Sequence, residues 1–262
     1  MPTVRANDID IAYRDQGSGD VPIVLLHGFP LDKRMWEAQA ESLSGEFRVI
    51  APDQRGHGES QVTPGPYTME LLADDLNAFL DALGLGQVTL GGFSMGGYVA
   101  FAFYRKHPER VANLLLLDTR PQPDSEEAKG GRETMAQLAE SEGGAAIAER
   151  LVPRLLCADT VANCQDVVDC VTAMITECPV EGIAGDLRGM ALRGDSSDLL
   201  PNISVPTLLV VGDQDVITPP AESQSMASII PNAKLVEVSG AGHLSNLENP
   251  DAFTGAIRDF LS

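Results

Sequence analysis

Lysine is nearly missing from this chain: only Lys33, Lys106, Lys129 and Lys234 occur. Together with arginine it supplies 18 positive residues against 38 Asp and Glu, a formal net charge of −20. Such a surface repels nucleic acid and anionic lipid, so neither is an expected partner. The acidic excess reads as a device that keeps a folded chain dispersed, with adaptation to high salt as the alternative. Aromatic residues are also few, 5% with a single tryptophan. No apolar run approaches the ~18–20 residues of a membrane helix. Met1–Asp8 has no apolar core of a secretory leader, which makes a cytoplasmic protein the expectation.

Metal and redox chemistry have little to draw on. The four cysteines, Cys157, Cys164, Cys170 and Cys178, are spaced too widely for a Cys-x-x-Cys motif, and no histidine lies among them. They are expected as small buried side chains on helices rather than as ligands or a disulfide. His27, His57, His107 and His243 are far apart and form no i, i+4 pair, so no metal is expected. Nor is a dinucleotide cofactor: Gly17-Ser18-Gly19 has Pro22 where a third glycine would stand, and it precedes a strand instead of following one. No repeat or low-complexity segment appears.

What is present is an alternation of short apolar strands and longer amphipathic segments. Ile9–Tyr13 reads as part of an N-terminal hairpin. Strands are expected at Ile23–Leu26, Phe47–Ala51, Val88–Leu90, Val111–Leu117, Thr207–Val211 and Lys234–Val238. Helices are expected near Met35–Leu43 and at Met69–Leu83, Met95–Lys106 and Asp251–Leu261, with Thr68 as an N-cap. This order predicts an α/β fold: a mostly parallel sheet with helices on both faces. A length of 262 residues, 44% hydrophobic, with mean hydropathy −0.02, suits one such domain with an insertion. The alternation breaks at Thr119–Asp124. Beyond it the chain reads as helices at Arg132–Glu142, Ala145–Leu156, Val161–Thr176 and Ile183–Arg193. The expected organisation is a core of residues 1–119 and 200–262 carrying a helical cap of residues 120–199.

The chemistry concentrates at strand ends. Val88–Gly97 runs from an apolar strand through Gly92-Phe93-Ser94-Met95-Gly96 into a helix, the form of a nucleophile elbow. The turn strains the serine backbone, and glycine two positions either side removes the collisions a side chain would meet. A serine hydroxyl needs a base, and the base an orienting acid. His243, in the small-residue loop Ser239–Leu244, is the candidate base. Three aspartates compete as acid: Asp118 after Val111–Leu117, and Asp213 and Asp215 after Thr207–Val211. Asp215 is preferred, because two positions further along the loop a carboxylate swings over the sheet edge. Asp213 is expected to cap its own turn and Asp118 to fix the hinge before Pro121.

These segments, together with His27-Gly28-Phe29-Pro30, Asp53–Ser60, Gly212-Asp213-Gln214-Asp215 and Gly242-His243, resemble the α/β-hydrolase superfamily, in its small bacterial esterase, enol-lactonase and perhydrolase-like branch. The resemblance runs from about residue 20 to the C-terminus, except for residues 120–200. It implies Ser94 as nucleophile, His243 as base and Asp215 as acid, with the backbone N–H groups of Phe29 and Met95 as the oxyanion hole. It implies no cofactor. His27 is expected to brace its loop, and Arg55 and His57 to tie loops together.

The expected function is a serine hydrolase acting on a small carboxylic ester or lactone through an acyl-enzyme. A cofactor-free perhydrolase or haloperoxidase-like enzyme shares every one of these motifs. A non-catalytic ligand receptor on the same fold is a third reading. Ser94 stands where a dehalogenase has aspartate. The cap is expected to roof the pocket, with Leu155, Leu156, Met174, Ile175, Met190 and Leu192 as candidates for its underside. Some cap features resemble enol-lactonases, with Arg188 or Arg193 placed to meet a substrate carboxylate. Acyl specificity and oligomeric state are not legible in the residues.

Overall fold

The computed structural model describes residues 1–262. Eight strands form one sheet: β1 Thr3–Ala6, β2 Ile9–Gln16, β3 Ile23–Leu26, β4 Val49–Pro52, β5 Val88–Phe93, β6 Val111–Leu117, β7 Thr207–Gly212 and β8 Ala233–Val238. Their spatial order is β1-β2-β4-β3-β5-β6-β7-β8. The first two strands pair antiparallel, and β2 joins β4 antiparallel; every later pairing is parallel. The strands β3, β4, β5 and β7 are buried at every residue. That is why they read as unbroken apolar runs: helices cover both faces of a parallel sheet, so neither face can be polar. Leu114–Leu117 of β6 have no exposed surface, and each such side chain contributes about 1.5–3 kcal/mol of transfer free energy.

The helices are α1 Glu37–Leu43, α2 Met69–Ala82, α3 Met95–Lys106, α4 Glu126–Glu142, α5 Gly144–Leu155, α6 Ala158–Asn163, α7 Gln165–Glu177, α8 Val180–Ala191, α9 Pro220–Ile229, α10 Ser245–Glu248 and α11 Pro250–Leu261. The hydroxyl of Thr68 accepts from the Leu71 N–H at 3.2 Å and starts α2 as its sequence suggests. No helix is long and apolar enough to cross a membrane.

Differences from the sequence reading have local causes. The segment expected as one helix over Val161–Thr176 is two, α6 and α7, because Cys164 leaves the helical region at φ −120°, ψ 67°. No glycine or proline announces that break. Helix α9 was not anticipated: only Ser223 and Met226 of it are buried, so it carries almost no apolar period. All four cysteines are free thiols, but only Cys157 and Cys178 are buried; Cys164 and Cys170 are exposed. The expectation of buried small side chains therefore holds for two of them.

Five helices, α4–α8, lie between β6 and β7. They share the main core, since Ile147, Ile175, Ile183 and Met190 belong to the same buried cluster as the sheet. A buried pair fastens them to the sheet: Nε2 of His57, in the loop after β4, meets Oδ2 of Asp186 on α8 at 2.7 Å.

Candidate active site

The carboxyl ends of β5, β7 and β8 meet at one edge of the sheet. Ser94 follows β5 directly, with φ 51° and ψ −111°, a conformation that costs of order 1–3 kcal/mol and persists only where packing enforces it. Packing does so here. A Cβ on Gly92 would lie 2.3 Å from the Gly96 carbonyl oxygen, and one on Gly96 would lie 2.6 Å from that of Leu26. Only glycine lets the strand, the turn and α3 approach this closely.

The strained turn presents Ser94 Oγ to His243 Nε2 at 2.9 Å. On the other side of the ring, His243 Nδ1 stands 2.7 Å from Asp215 Oδ2. An ionised carboxylate accepts only, so Nδ1 carries the proton and Nε2 offers its lone pair to the serine hydroxyl. Asp215 is fixed in turn: Oδ1 accepts from the N–H groups of Ile217 and Thr218 at 2.7 and 3.0 Å, and Oδ2 from the Thr218 hydroxyl at 2.6 Å. Burial pushes its pKa up, but His243 and these donors outweigh burial and hold it below the ordinary value. The edge of the His243 ring packs on Phe93, centroids 5.5 Å apart.

Phe29 lies in the loop after β3, and Met95 is the first residue of α3. Neither N–H donates to a protein acceptor. The Met95 amide is one of the orphan donors every helix start leaves. Phe29, Ser94 and His243 all line one cavity of about 450 Å³, which brings them together at a single space.

The competing aspartates have other duties. Asp118 is fully buried. Its carboxyl accepts from the Gly212 N–H at 2.9 Å and meets the Ser245 hydroxyl at 2.5 Å. It therefore ties the end of β7 to α10, not the hinge before Pro121. Burial, then the nearby charge of Asp215, raises its pKa well above the usual range, the opposite direction to Asp215. Asp213 caps no turn of its own; it accepts from Gly240 N–H at 2.9 Å and from the Ser239 hydroxyl at 3.1 Å, steadying the loop toward His243. Asp118, Asp215 and His243 bring ligand atoms within 4.8 Å of one another. Each group already has hydrogen-bond partners, as in a proton relay, whereas a cation needs converging free lone pairs.

His27 braces its loop as expected. Its Nδ1 lies 3.1 Å from the Gly28 carbonyl, and its Nε2 accepts from the Gln54 N–H at 2.9 Å. Burial, then the neighbouring His57, lowers its pKa to about 3, which keeps the ring neutral and able to accept. Arg55 ties its loop to α2 through Asp75 at 2.5 and 2.7 Å.

The cavity roof comes from the helices between β6 and β7. Met135, Leu151, Leu155, Leu187 and Met190 form its apolar lining. Of the residues proposed from sequence, only Leu155 and Met190 are there; Leu156, Met174 and Ile175 are buried elsewhere in the core, and Leu192 is 64% exposed. Arg188 does not reach the cavity, being held by Glu133 and Glu140 of α4. Arg193 stacks on Tyr98. Arg120, Arg132 and Arg154 line the cavity instead. The only sequence signal for them is that arginines recur in a segment short of lysine.

A family model described as alpha/beta hydrolase fold matches residues 21–145 and 187–250. The chain belongs to the alpha/beta hydrolase family. It is similar over 99% of its length to the structure of a thermophilic esterase from Thermogutta terrifontis, at 49% identity and a TM-score of 0.96, covering 97% of that chain. It is also similar to 3-oxoadipate enol-lactonase 2 of Acinetobacter baylyi, 30% identical over 97% of this chain and 94% of that protein. A non-heme chloroperoxidase of Kitasatospora aureofaciens is likewise 30% identical, over 93% of this chain and 92% of the relative.

Proposed function

We propose that the protein is a serine hydrolase that cleaves a small carboxylic ester or lactone through an acyl-enzyme. The observation that carries this is the relay from Ser94 Oγ to His243 Nε2 at 2.9 Å and from His243 Nδ1 to Asp215 at 2.7 Å, opening on a roofed cavity. In this reading His243 takes the Ser94 proton as Oγ attacks the carbonyl carbon. The N–H groups of Phe29 and Met95 hold the oxygen that becomes negative, each donor contributing a factor of about 10²–10³ in rate. His243 then returns the proton to the leaving alkoxide, and a water activated by the same ring releases the acid. Residues 120–199 act as a cap that limits water in the cavity. The similarity to an esterase and to an enol-lactonase supports the substrate class, and no cofactor is required. The reading places the enzyme in the cytoplasm.

The similarity to a chloroperoxidase favours a second reading, in which hydrogen peroxide replaces water in attacking the acyl-enzyme. Both readings need Ser94. Labelling with a fluorophosphonate followed by mass spectrometry is expected to put the adduct on Ser94, and Ser94→Ala to lose turnover of p-nitrophenyl butyrate while folding normally. An adduct elsewhere, or a mutant near wild-type activity, overturns both. A peracid product when peroxide is added separates the second from the first.

A further inference from the structure

Thr218 follows Asp215 in the loop after β7 and is buried. Its hydroxyl hydrogen goes to Asp215 Oδ2 at 2.6 Å. A hydroxyl has one hydrogen and two lone pairs, so the oxygen can still accept. It stands 3.3 Å from His243 Nδ1, the nitrogen that carries the ring proton. That proton therefore faces two acceptors, Asp215 Oδ2 at 2.7 Å and Thr218 Oγ1. Thr218 touches both the base and its acid, yet it does not line the cavity that holds Ser94.

A local device brings Thr218 to this place. Asp215 Oδ1 accepts from the N–H groups of Ile217 and Thr218 at 2.7 and 3.0 Å, a turn closed by the aspartate's own side chain. The turn curls the chain back, so the side chain three positions on meets the other carboxylate oxygen. Threonine carries two heavy atoms on its β-carbon and is stiff at χ1, so its hydroxyl is held at little cost in rotamer freedom. A His243 ring bound by one carboxylate oxygen alone can swing about the line from Nδ1 to Oδ2. Phe93 packs against the ring but offers no directional bond. The second acceptor fixes the ring plane, and with it the 2.9 Å approach of Nε2 to Ser94.

We propose that Thr218 is a positioning residue of this relay, holding His243 and Asp215 in the arrangement that presents Nε2 to Ser94. The proposal rests on the hydrolase reading of the site and deepens it. Thr218 exchanges no proton with the substrate. As the ring takes the Ser94 proton it becomes positive, and Thr218 Oγ1 then faces a stronger donor. The contact gains strength during the reaction, which lowers the barrier and leaves substrate affinity alone. A role confined to loop packing would instead act through Ile217, which lines the cavity, and would be felt in KM.

The test sets Thr218→Val, which removes the hydroxyl and keeps the branched shape, beside Thr218→Ser, which keeps the hydroxyl. With p-nitrophenyl butyrate, Thr218→Val is expected to lose about tenfold in kcat, the scale of one hydrogen bond. Its KM is expected within about twofold of wild type. The rate at which a fluorophosphonate labels Ser94 is expected to fall in the same ratio, since labelling needs the same activated hydroxyl. Thr218→Ser is expected to stay within about threefold of wild type by both measures. In the Asp215→Asn background, Thr218→Val is expected to cost less than about twofold, because the shared contact is already broken. An unchanged kcat and labelling rate in Thr218→Val overturn the proposal. So does a loss carried by KM, a loss as large in Thr218→Ser, or full additivity with Asp215→Asn. If circular dichroism shows the valine variant unfolded, Thr218→Ala against Thr218→Ser asks the same question with the same outcomes. A wild type whose Ser94 is never labelled overturns the hydrolase reading itself.

Discussion

His57 and Asp186 form an ion pair with no exposed surface, Nε2 to Oδ2 at 2.7 Å, across the seam between the sheet and the helices that roof the cavity. The other ring nitrogen, Nδ1, lies 3.0 Å from the Leu31 carbonyl and 3.4 Å from the Cys178 sulfur. Burial pushes the imidazole down, but the Cys178 sulfur and the Asp186 carboxylate outweigh it and hold the His57 pKa well above 6.5. Helix α8 also supplies Leu187 and Met190 to the cavity, so the pair positions the roof.

Removing His57 leaves a buried carboxylate without its partner, which costs about 3–5 kcal/mol for pairs of this kind. His57→Ala is expected to lower the urea midpoint accordingly. The pH dependence has a definite sign. A folded-state pKa above the unfolded value means the folded protein binds the proton more tightly. The contribution is complete below the unfolded pKa of about 6.5 and is lost as pH rises through the folded value. Urea titrations at several pH values are expected to show this decline from neutral pH upward in wild type and its loss in His57→Ala. An equal decline in both proteins would refute the assignment.

His243→Gln is expected to abolish most turnover, because the glutamine side chain cannot take the Ser94 proton across the 2.9 Å contact. Asp215 is held below the ordinary carboxylate range, so the charge that orients the ring persists into mildly acid pH. A His243→Gln variant that keeps near wild-type kcat/KM while folding normally would count against a histidine base.

The three aspartates separate by kcat after conversion to asparagine. Asp215→Asn is expected to cost about 10⁴, as the same change does in the serine proteases, while Asp213→Asn and Asp118→Asn stay within about tenfold of wild type. Asparagine keeps the size of the buried Asp118 side chain, whose contacts are with Gly212 and Ser245 rather than His243. Asp118→Asn is also expected to flatten part of the stability decline above pH ~4, because a buried carboxyl with a raised pKa loses stability as pH rises. Collapse of Asp118→Asn or Asp213→Asn, with Asp215→Asn near wild type, would reassign the acid.

Gly96→Ala brings a Cβ within 2.6 Å of the Leu26 carbonyl oxygen and 2.8 Å of that of His27. Both contacts are backbone and cannot swing aside. The expected cost is about 1–3 kcal/mol, typical of overpacking. A larger fall in kcat than in KM is also expected, because the Met95 N–H sits on the displaced turn. Crystallography of the variant with unshifted β3 and α3 would refute this account of the glycine.

Ser94, Asp215 and His243 were legible because their signals are local. An apolar run that ends at a glycine-flanked serine has few backbone solutions, and strand–loop–helix alternation puts the later candidates at the same edge of a parallel sheet. The choice of Asp215 over Asp118 and Asp213 rested on loop reach, and Asp215 Oδ2 stands 2.7 Å from His243 Nδ1 while the other two carboxylates have different partners. They also give the two rejected aspartates duties the sequence did not show, since Gly212, Ser245 and Gly240 are far from those aspartates or out of reach until the sheet forms.

The sequence by itself determined the alternation of strands and helices, the strained serine turn and the loop order, all set by short-range sterics and hydrophobic period. Tertiary structure alone decided which side chains of the helices between β6 and β7 face the cavity and which arginines have no carboxylate partner. Met174 and Met190 carry the same helical pattern, as do Arg188 and Arg154. They differ only in what stands opposite: Glu133 and Glu140 quench Arg188, whereas no carboxylate pairs with Arg154. Charge compensation is a property of neighbours brought together across the chain, and no local pattern encodes it.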